Sequence, residues 1–164
     1  PRLIARKSLN HMSLQLAVFD IKGDKIVAAA HSSELEQFGW KTNKGNIPAA
    51  YLTGILLGTK ATKKDIKNAI LDIGLQASVK GSRVYAAVKG CLEAGLEIPV
   101  APEILPDEAR LQGKHITAYS KHAGIKPANA FSQYGENSVK LENVPALVNE
   151  IKNQIKKKAA GGYS

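Results

Sequence analysis

Alternation between apolar and polar residues predicts three β-strands near the start of the chain. The segments are residues 2–9, 12–21 and 25–31. In the second segment Leu14, Leu16 and Val18 recur every two positions, so we expect all three on one face of the sheet. Short connections, one of which contains Gly23 and Asp24, predict that these strands form an antiparallel meander.

Helical periodicity begins after Asn46. Asn46 is a suitable N-cap and Pro48 falls in the first turn, where proline is tolerated, so a helix is predicted to residue 60. Gly54 and Gly58 would let this helix pack closely against a sheet. A second helix is predicted between Ser82 as its N-cap and Gly95 as its C-terminal stop.

Two short apolar runs complete the predicted sheet. Residues 69–73 are typical of a buried strand, and residues 96–100 are a further candidate strand. The order of three strands, helix, strand and helix predicts an α/β fold. In it, parallel strands join the meander and helices cover the mixed sheet, in a topology that resembles the ribonuclease-H-like architecture.

The pattern becomes less regular after Pro99. A short helix is predicted over residues 114–122, no periodicity is visible over 124–139, and a final helix is predicted from Pro145 to the lysines at 156–158. Residues 159–164 are expected to be disordered. We therefore predict a single α/β domain over residues 1–125 and a C-terminal extension over residues 126–164.

Charge is concentrated in the first part of the chain. The net charge of the 164 residues is +9. Residues 1–92 hold 14 Lys and Arg against six Asp and Glu, whereas residues 93–164 hold nine against eight. Such a confined positive field is typical of proteins that bind a polyanion. We see no amphipathic helix suited to a lipid surface, so nucleic acid is favoured over a membrane.

Several features favour a cytoplasmic protein. No apolar run is long enough to span a bilayer, and the first residues have a strand pattern in place of a signal peptide. Cys91 is the single cysteine, so an intrachain disulfide is excluded. Aromatic residues make up only 5% of the chain, which argues against a protein that stacks successive bases of a single strand.

Basic and amide side chains form three clusters that are suited to phosphate. The first lies at the junction of the first two strands, the second precedes the first helix beside Trp40, and the third precedes the second helix. Their members are Arg6, Lys7, Ser8, Asn10, His11 and Gln15; Lys41, Asn43, Lys44 and Asn46; and Lys80, Ser82 and Arg83. Helix N-termini attract phosphate, so these are the candidate RNA contacts. Solvated loops, with Trp40 as a lid over the core, are the alternative.

Five short motifs carry a family resemblance. They are His31-Ser32-Ser33-Glu34-Leu35, Phe38-Gly39-Trp40-Lys41, the run from Asn46 to Gly54, Leu71-Asp72-Ile73-Gly74-Leu75, and Lys80-Gly81-Ser82-Arg83-Val84 with its continuation to Pro99. In this order the chain resembles the archaeal and eukaryotic form of the large-subunit ribosomal protein eighteen family, over about residues 1–125.

The resemblance implies a structural protein of the large ribosomal subunit. Such a protein binds 5S rRNA and anchors it in the central protuberance, where it also contacts large-subunit rRNA and neighbouring ribosomal proteins. It has no enzymatic activity and needs no cofactor. Lys7, Ser8, His11 and Gln15 match the family's strand-turn-strand motif. Recognition is expected through phosphates, backbone shape and 2′-hydroxyls.

Enzyme chemistry is less well supported. The segment 54–60 has the wrong spacing and residue order for a phosphate-binding loop, and Cys91 falls on the apolar face of a helix, where cysteine is usually a small buried hydrophobe. His115, Tyr119 and His122 share a helix face, but histidines seven positions apart are a poor metal pair.

A metal-dependent nuclease remains the alternative function. Enzymes of ribonuclease-H-like architecture hold two metal ions with carboxylates at strand ends. The candidate carboxylates are Asp20, Glu34, Asp72 and Glu93. Asp72 lies in a strand that is predicted to be buried, so it needs a partner, either a backbone amide or a basic side chain such as Arg83.

Overall fold

A computed structural model describes residues 1–122 and 141–161 of the chain. The strands are β1 (Arg2–Lys7), β2 (Met12–Val18), β3 (Lys25–His31) and β4 (Ile70–Asp72). The α-helices are α1 (Ile47–Thr62), α2 (Arg83–Glu93), α3 (Glu108–Leu111), α4 (Lys114–His122) and α5 (Val144–Gly161), and 3-10 helices span Ser32–Phe38, Pro102–Ile104 and Leu141–Asn143. The stretch 124–139, predicted to be irregular, lies outside the described residues.

The four strands form one mixed sheet in the order β3-β2-β1-β4. The pairs β1–β2 and β2–β3 are antiparallel, and β4 is parallel to β1. Side chains at alternate positions of β1 and β2 are buried beneath the helices, while those between them lie on the opposite, open face. The prediction of a mixed α/β sheet covered by helices is confirmed.

The prediction that three residues of β2 share one face is right for Leu14 and Leu16 and wrong for Val18. Leu14 and Leu16 are fully buried, whereas Val18 is 37% exposed. The register of β2 against β3 shifts between Leu16 and Ala17, and such a bulge changes which side chains face the core. Ala17 therefore takes the buried position, and Val18 points outward.

Glycines set the close approach of α1 to α2. A Cβ atom on Gly54 would lie 2.0 Å from the carbonyl oxygen of Ala87, and one on Gly90 would lie 2.2 Å from that of Tyr51. The close contact predicted for Gly54 and Gly58 is thus made with α2 and not with the sheet. Periodicity marks α1 as apolar without showing which element covers each side.

Cys91 lies in this helix–helix interface. The side chain is fully buried, and its thiol donates to the carbonyl oxygen of Gly54 at 3.3 Å. Burial raises the pKa of the thiol to about 12, so it stays protonated at neutral pH. The structure confirms the prediction of a small buried hydrophobe in preference to a nucleophile.

The parallel part of the sheet is smaller than the sequence predicts. β4 has only three residues, and Ile70 is 67% exposed because it pairs in register with Arg2 on the open face of the sheet. The candidate strand at 96–100 is wrong: Glu97 makes an isolated parallel bridge to Asn68. Apolar runs at sheet edges resemble buried strands in sequence, because composition does not show how many neighbours a strand has.

Helix α5 packs onto the main body of the fold. Val144, Val148, Ile151 and Ile155 are buried, as helical spacing requires. Lys152 donates to both the Glu93 carboxylate and the Tyr51 hydroxyl at 2.7 Å. The helix continues to Gly161, beyond the end predicted from sequence, and residues 162–164 lie outside the described part. Among described residues, no helix has the length and apolar character needed to cross a membrane.

Candidate nucleic-acid interface

The first predicted cluster is centred on the turn between β1 and β2. β1 ends at Lys7, two residues earlier than predicted, because the Ser8 amide donates to the carbonyl of His11 at 2.9 Å. The Ser8 hydroxyl accepts from the His11 amide at 3.0 Å. Lys7, Leu9 and Asn10 are exposed around this turn, so a cation, an apolar side chain and an amide project together.

Arg83 connects this turn to the other two clusters. Its Nη1 donates to the carbonyl oxygens of Ser8 at 3.0 Å, Leu9 at 3.3 Å and Gly45 at 2.7 Å. The described residues give Nε and Nη2 of this guanidinium no hydrogen-bond partner. Arg83 therefore clamps two loops while keeping donors for an anion.

Gly45 allows the same two loops to touch. A Cβ atom at this position would lie 2.5 Å from the carbonyl oxygen of Leu9 and 3.1 Å from Cα of Asn10. Because a side chain of any other residue would collide with this backbone, the loop 41–46 can lie directly against the turn 8–11. We call the turn 8–11, the loop 41–46 and residues 80–83 together the clamp surface.

The amides of the second cluster serve mainly to shape the loop. Asn46 caps α1, as predicted, by accepting from the Ala49 amide at 2.8 Å, and Asn43 accepts from the Gly45 amide at 2.7 Å. Trp40 is fully buried and its indole donates to the Asn43 carbonyl, so it belongs to the core.

The lysines of the three clusters differ in whether they have an ion-pair partner. Lys44 forms an ion pair with Glu36, whereas the described part of the chain gives Lys7, Lys41 and Lys80 no ion-pair partner. Ser82 occupies the N-cap position of α2, as predicted, but its side chain makes no capping hydrogen bond. The first amides of α2 thus lack a side-chain cap beside Lys80 and Arg83, an arrangement that suits phosphate.

Arg6 and Gln15 lie on the open sheet face, away from the exposed tip of the turn. Arg6 donates to the Asp72 carbonyl at 3.0 Å and to its carboxylate at 3.3 Å. Gln15 pairs in register with Ile4, on the face opposite Leu14. Arg2 and Ser13 belong to the same face and were missed, although the period-two alternation that marks the strands also assigns them there.

Asp72 has partners other than the one suggested from sequence. Its pKa is lowered first by the hydrogen bond from the Gly74 amide and then by Arg6 and Arg2. The backbone-amide alternative is therefore right. Arg83 as the partner is wrong, because that guanidinium lies on the three carbonyls of the clamp surface.

His11 of the clamp surface lies against the ring of His31 in a tilted arrangement. The rings of His11 and His31 lie 4.8 Å apart between centroids. Nδ1 of His11 lies 3.1 Å from the Ser32 hydroxyl, which also accepts from the Met12 amide. Burial, followed by the charges of His11 and Lys44, lowers the pKa of His31 despite the opposing charge of Glu34.

The candidate carboxylates of a nuclease are held apart by separate partners. Glu34 pairs with Lys60 at 2.6 Å, Glu93 with Lys152 at 2.7 Å, Asp72 with Arg6, and Asp20 accepts from a backbone amide in the β2–β3 loop. Within the described ranges, no three His, Cys, Asp or Glu side chains are grouped to hold a metal ion. The described part of the chain therefore offers no two-metal site.

Comparison with known proteins identifies the family of this chain. The family model described as ribosomal large subunit proteins 60S L5 and 50S L18 matches residues 1–67 and 59–101. The chain is also 46% identical over 158 residues to the large ribosomal subunit protein uL18 of Methanococcus maripaludis, covering 94% of this chain and 82% of that protein. This chain therefore belongs to the ribosomal large-subunit protein family that comprises 60S L5 and 50S L18.

Proposed function

We propose that this ribosomal protein binds 5S rRNA and anchors it in the central protuberance of the large subunit. Membership of the family makes it a structural constituent of the cytoplasmic large subunit and not an enzyme, so the nuclease alternative is set aside. The proposal extends this role to one RNA and one location. Large-subunit rRNA and neighbouring proteins of the protuberance are the further partners.

The clamp surface is the observation that carries the proposal. Arg83 unites three basic segments that are far apart in sequence, and Lys7, Lys41 and Lys80 are exposed around them. A rigid array of lysines, backbone amides and one guanidinium suits the fixed phosphate spacing of a folded RNA. Arg6 and Gln15 extend the same recognition onto the open sheet face.

The direct test is a filter-binding titration of 5S rRNA over a range of salt concentrations. Lys7→Ala and Lys80→Ala should each weaken binding and reduce the slope of log affinity against log salt by about one unit or less, since each removes one phosphate contact. Lys22→Ala is the matched control, because Lys22 is exposed in the β2–β3 loop, at the opposite end of β2.

Assembly is tested separately by sedimentation. The tagged protein should migrate with large subunits at moderate salt and should bring 5S rRNA with it when released under mild conditions. Release with other RNA but without 5S rRNA, or equal slopes for all three lysine variants, would contradict the proposal.

A further inference from the structure

The outer edge of β3 is held by lysine side chains. β3 is the last strand of the sheet on that side, and its other edge pairs with β2. Nζ of Lys60 donates to the carbonyl oxygen of Ala29 at 2.9 Å, and Nζ of Lys64 donates to that of Val27. These carbonyls, two positions apart, therefore point away from β2, where an additional strand would meet them.

A groove lies between this edge and the C-terminal half of α1. One wall is apolar and is formed by residues 26–29 of β3; the other carries Lys60, Lys63 and Lys64. Lys60 lies in the last turn of α1, and Lys63 and Lys64 follow directly after the helix ends at Thr62. Lys60 also pairs with Glu34 at 2.6 Å, which offsets one of the three positive charges at this wall.

Apolar side chains continue from the groove into the β2–β3 loop. Ile26 is 51% exposed, and Phe19 and Ile21 in the preceding loop are 80% and 94% exposed. Large exposed apolar side chains next to a strand edge are typical of a protein-binding surface. The groove thus combines an apolar wall, three lysines and a strand edge that pairs with no other strand of the described residues.

We propose that this groove binds an extended acidic segment of a neighbouring protein in the large subunit, which adds to β3 as a fifth strand. The proposal rests on the family's place in the ribosome, but uses a different surface from the one proposed for 5S rRNA. Carboxylates of the segment accept hydrogen bonds from the ammonium groups of Lys60 and Lys64. The carbonyls of Val27 and Ala29 are then released to accept backbone amides of the new strand.

The same features disfavour RNA as the occupant. Phosphates would satisfy the lysines, but an RNA backbone has no row of N–H donors for the carbonyls of Val27 and Ala29. It would also place charged phosphates along the apolar wall at Ile26, where their desolvation is unfavourable. An acidic peptide matches both walls, because its side chains meet the lysines and its backbone meets the strand.

The test is photo-crosslinking within assembled large subunits. A benzoylphenylalanine introduced at Ile26 should crosslink to a ribosomal protein, and mass spectrometry should locate the crosslink in a segment rich in Asp and Glu. The same photo-reactive residue at Ile70, exposed on the opposite edge of the sheet, is the control and should give a different product. A crosslink to rRNA, to a segment without acidic residues, or to nothing would overturn the proposal.

Charge reversal provides the second measurement. Lys63→Glu combined with Lys64→Glu should lower the yield of the Ile26 crosslink by about tenfold, whereas Lys63→Arg with Lys64→Arg should preserve it. Filter binding of 5S rRNA should be the same for both double variants. If the wild-type protein does not bind 5S rRNA, the proposed function is refuted, but the crosslinking result is unaffected. If the crosslink yield is unchanged after charge reversal, only the proposal of an acidic strand is refuted.

Discussion

Arg83 combines a structural role with its proposed role in RNA binding. Its Nη1 atom donates to three carbonyls from two loops, so the side chain positions the candidate RNA contacts. Sequence places Arg83 in a basic cluster at a helix start but cannot show these carbonyls, which lie 38 to 75 positions away. Long-range contacts of this kind depend on the complete fold.

Replacing Arg83 should therefore affect stability as well as binding. Arg83→Ala should lower the free energy of unfolding by about 1.5–3 kcal/mol, the usual range for hydrogen bonds to a charged group, and should also weaken 5S binding. Lys7→Ala should weaken binding with an unchanged urea midpoint, because Lys7 is exposed. Denaturation curves measured beside filter binding check both, and equal midpoints for wild type and Arg83→Ala would contradict the clamp.

His31 gives the protein a pH-dependent stability. Its folded pKa is below the ordinary value of 6.5, mainly through burial and then through His11, so the unfolded chain binds more protons in the window below pH 6.5. The contribution of His31 to the free energy of unfolding is fully present above pH 6.5, and it is lost as the pH falls through the folded pKa.

The urea midpoint should thus drop between pH 7.5 and pH 5.5, and the drop should be smaller in His31→Asn. It should not vanish, because burial also lowers the pKa of His115. The variant His115→Asn serves as the comparison for that separate contribution. An identical drop in wild type and His31→Asn would show that the His11–His31 pair does not cause the effect.

Helix α1 is the central element, and its packing depends on glycines. The Cβ atom of an alanine at Gly54 would meet a carbonyl oxygen of α2, whereas the one at Gly58 would meet the Cβ atom of Ala94 at 2.5 Å. A substitution cannot remove the main-chain carbonyl of Ala87, but Ala94→Gly removes the methyl group of Ala94. The two sites therefore differ in whether a second substitution restores the fit.

Gly54→Ala and Gly58→Ala should each destabilise the protein by about 1–3 kcal/mol through overpacking, which exceeds the gain of about 1 kcal/mol in helix propensity. Ala94→Gly should restore most of the loss caused by Gly58→Ala. Ala87→Gly should not rescue Gly54→Ala, since the collision is with main chain. Thermal midpoints of the four variants and the two double variants test this, and rescue at both sites would be inconsistent with the geometry.

Sequence patterns predict where helices and strands lie better than they predict which elements pair or pack with each other. The strands β1 to β3 and the caps at Asn46 and Ser82 follow from local alternation and turn chemistry, which act within a few residues. The bulge after Leu16 and the short β4 depend on pairing between strands. The candidate site shows the same limit, because three clusters are visible in sequence while their union through Arg83 is not.

The whole molecule carries a net positive charge, and the clamp surface is its proposed RNA-binding surface. Arg83 ties the turn 8–11 to the loop 41–46, so intramolecular hydrogen bonds fix the shape of this surface. A preformed site loses little conformational entropy on binding, so affinity should respond mainly to phosphate charge and to the geometry of the RNA helix.

Binding should accordingly raise stability and distinguish RNA from DNA. 5S rRNA at about one hundred times its dissociation constant should stabilise the fold by about 2.7 kcal/mol. DNA of the same sequence should stabilise it less, because it lacks 2′-hydroxyls and A-form geometry. Thermal melts with each nucleic acid measure this, with high salt as the control that should remove both effects; equal shifts with RNA and DNA would favour a purely electrostatic contact.

The 75 positions between Ser8 and Arg83 also impose an order on events during translation. The β1–β2 turn is synthesised before α2, and Arg83 can hold it only after α2 has been completed and has docked on α1. If the proposed function holds, capture of 5S rRNA through this surface is a late step that follows the folding of residues 8–93.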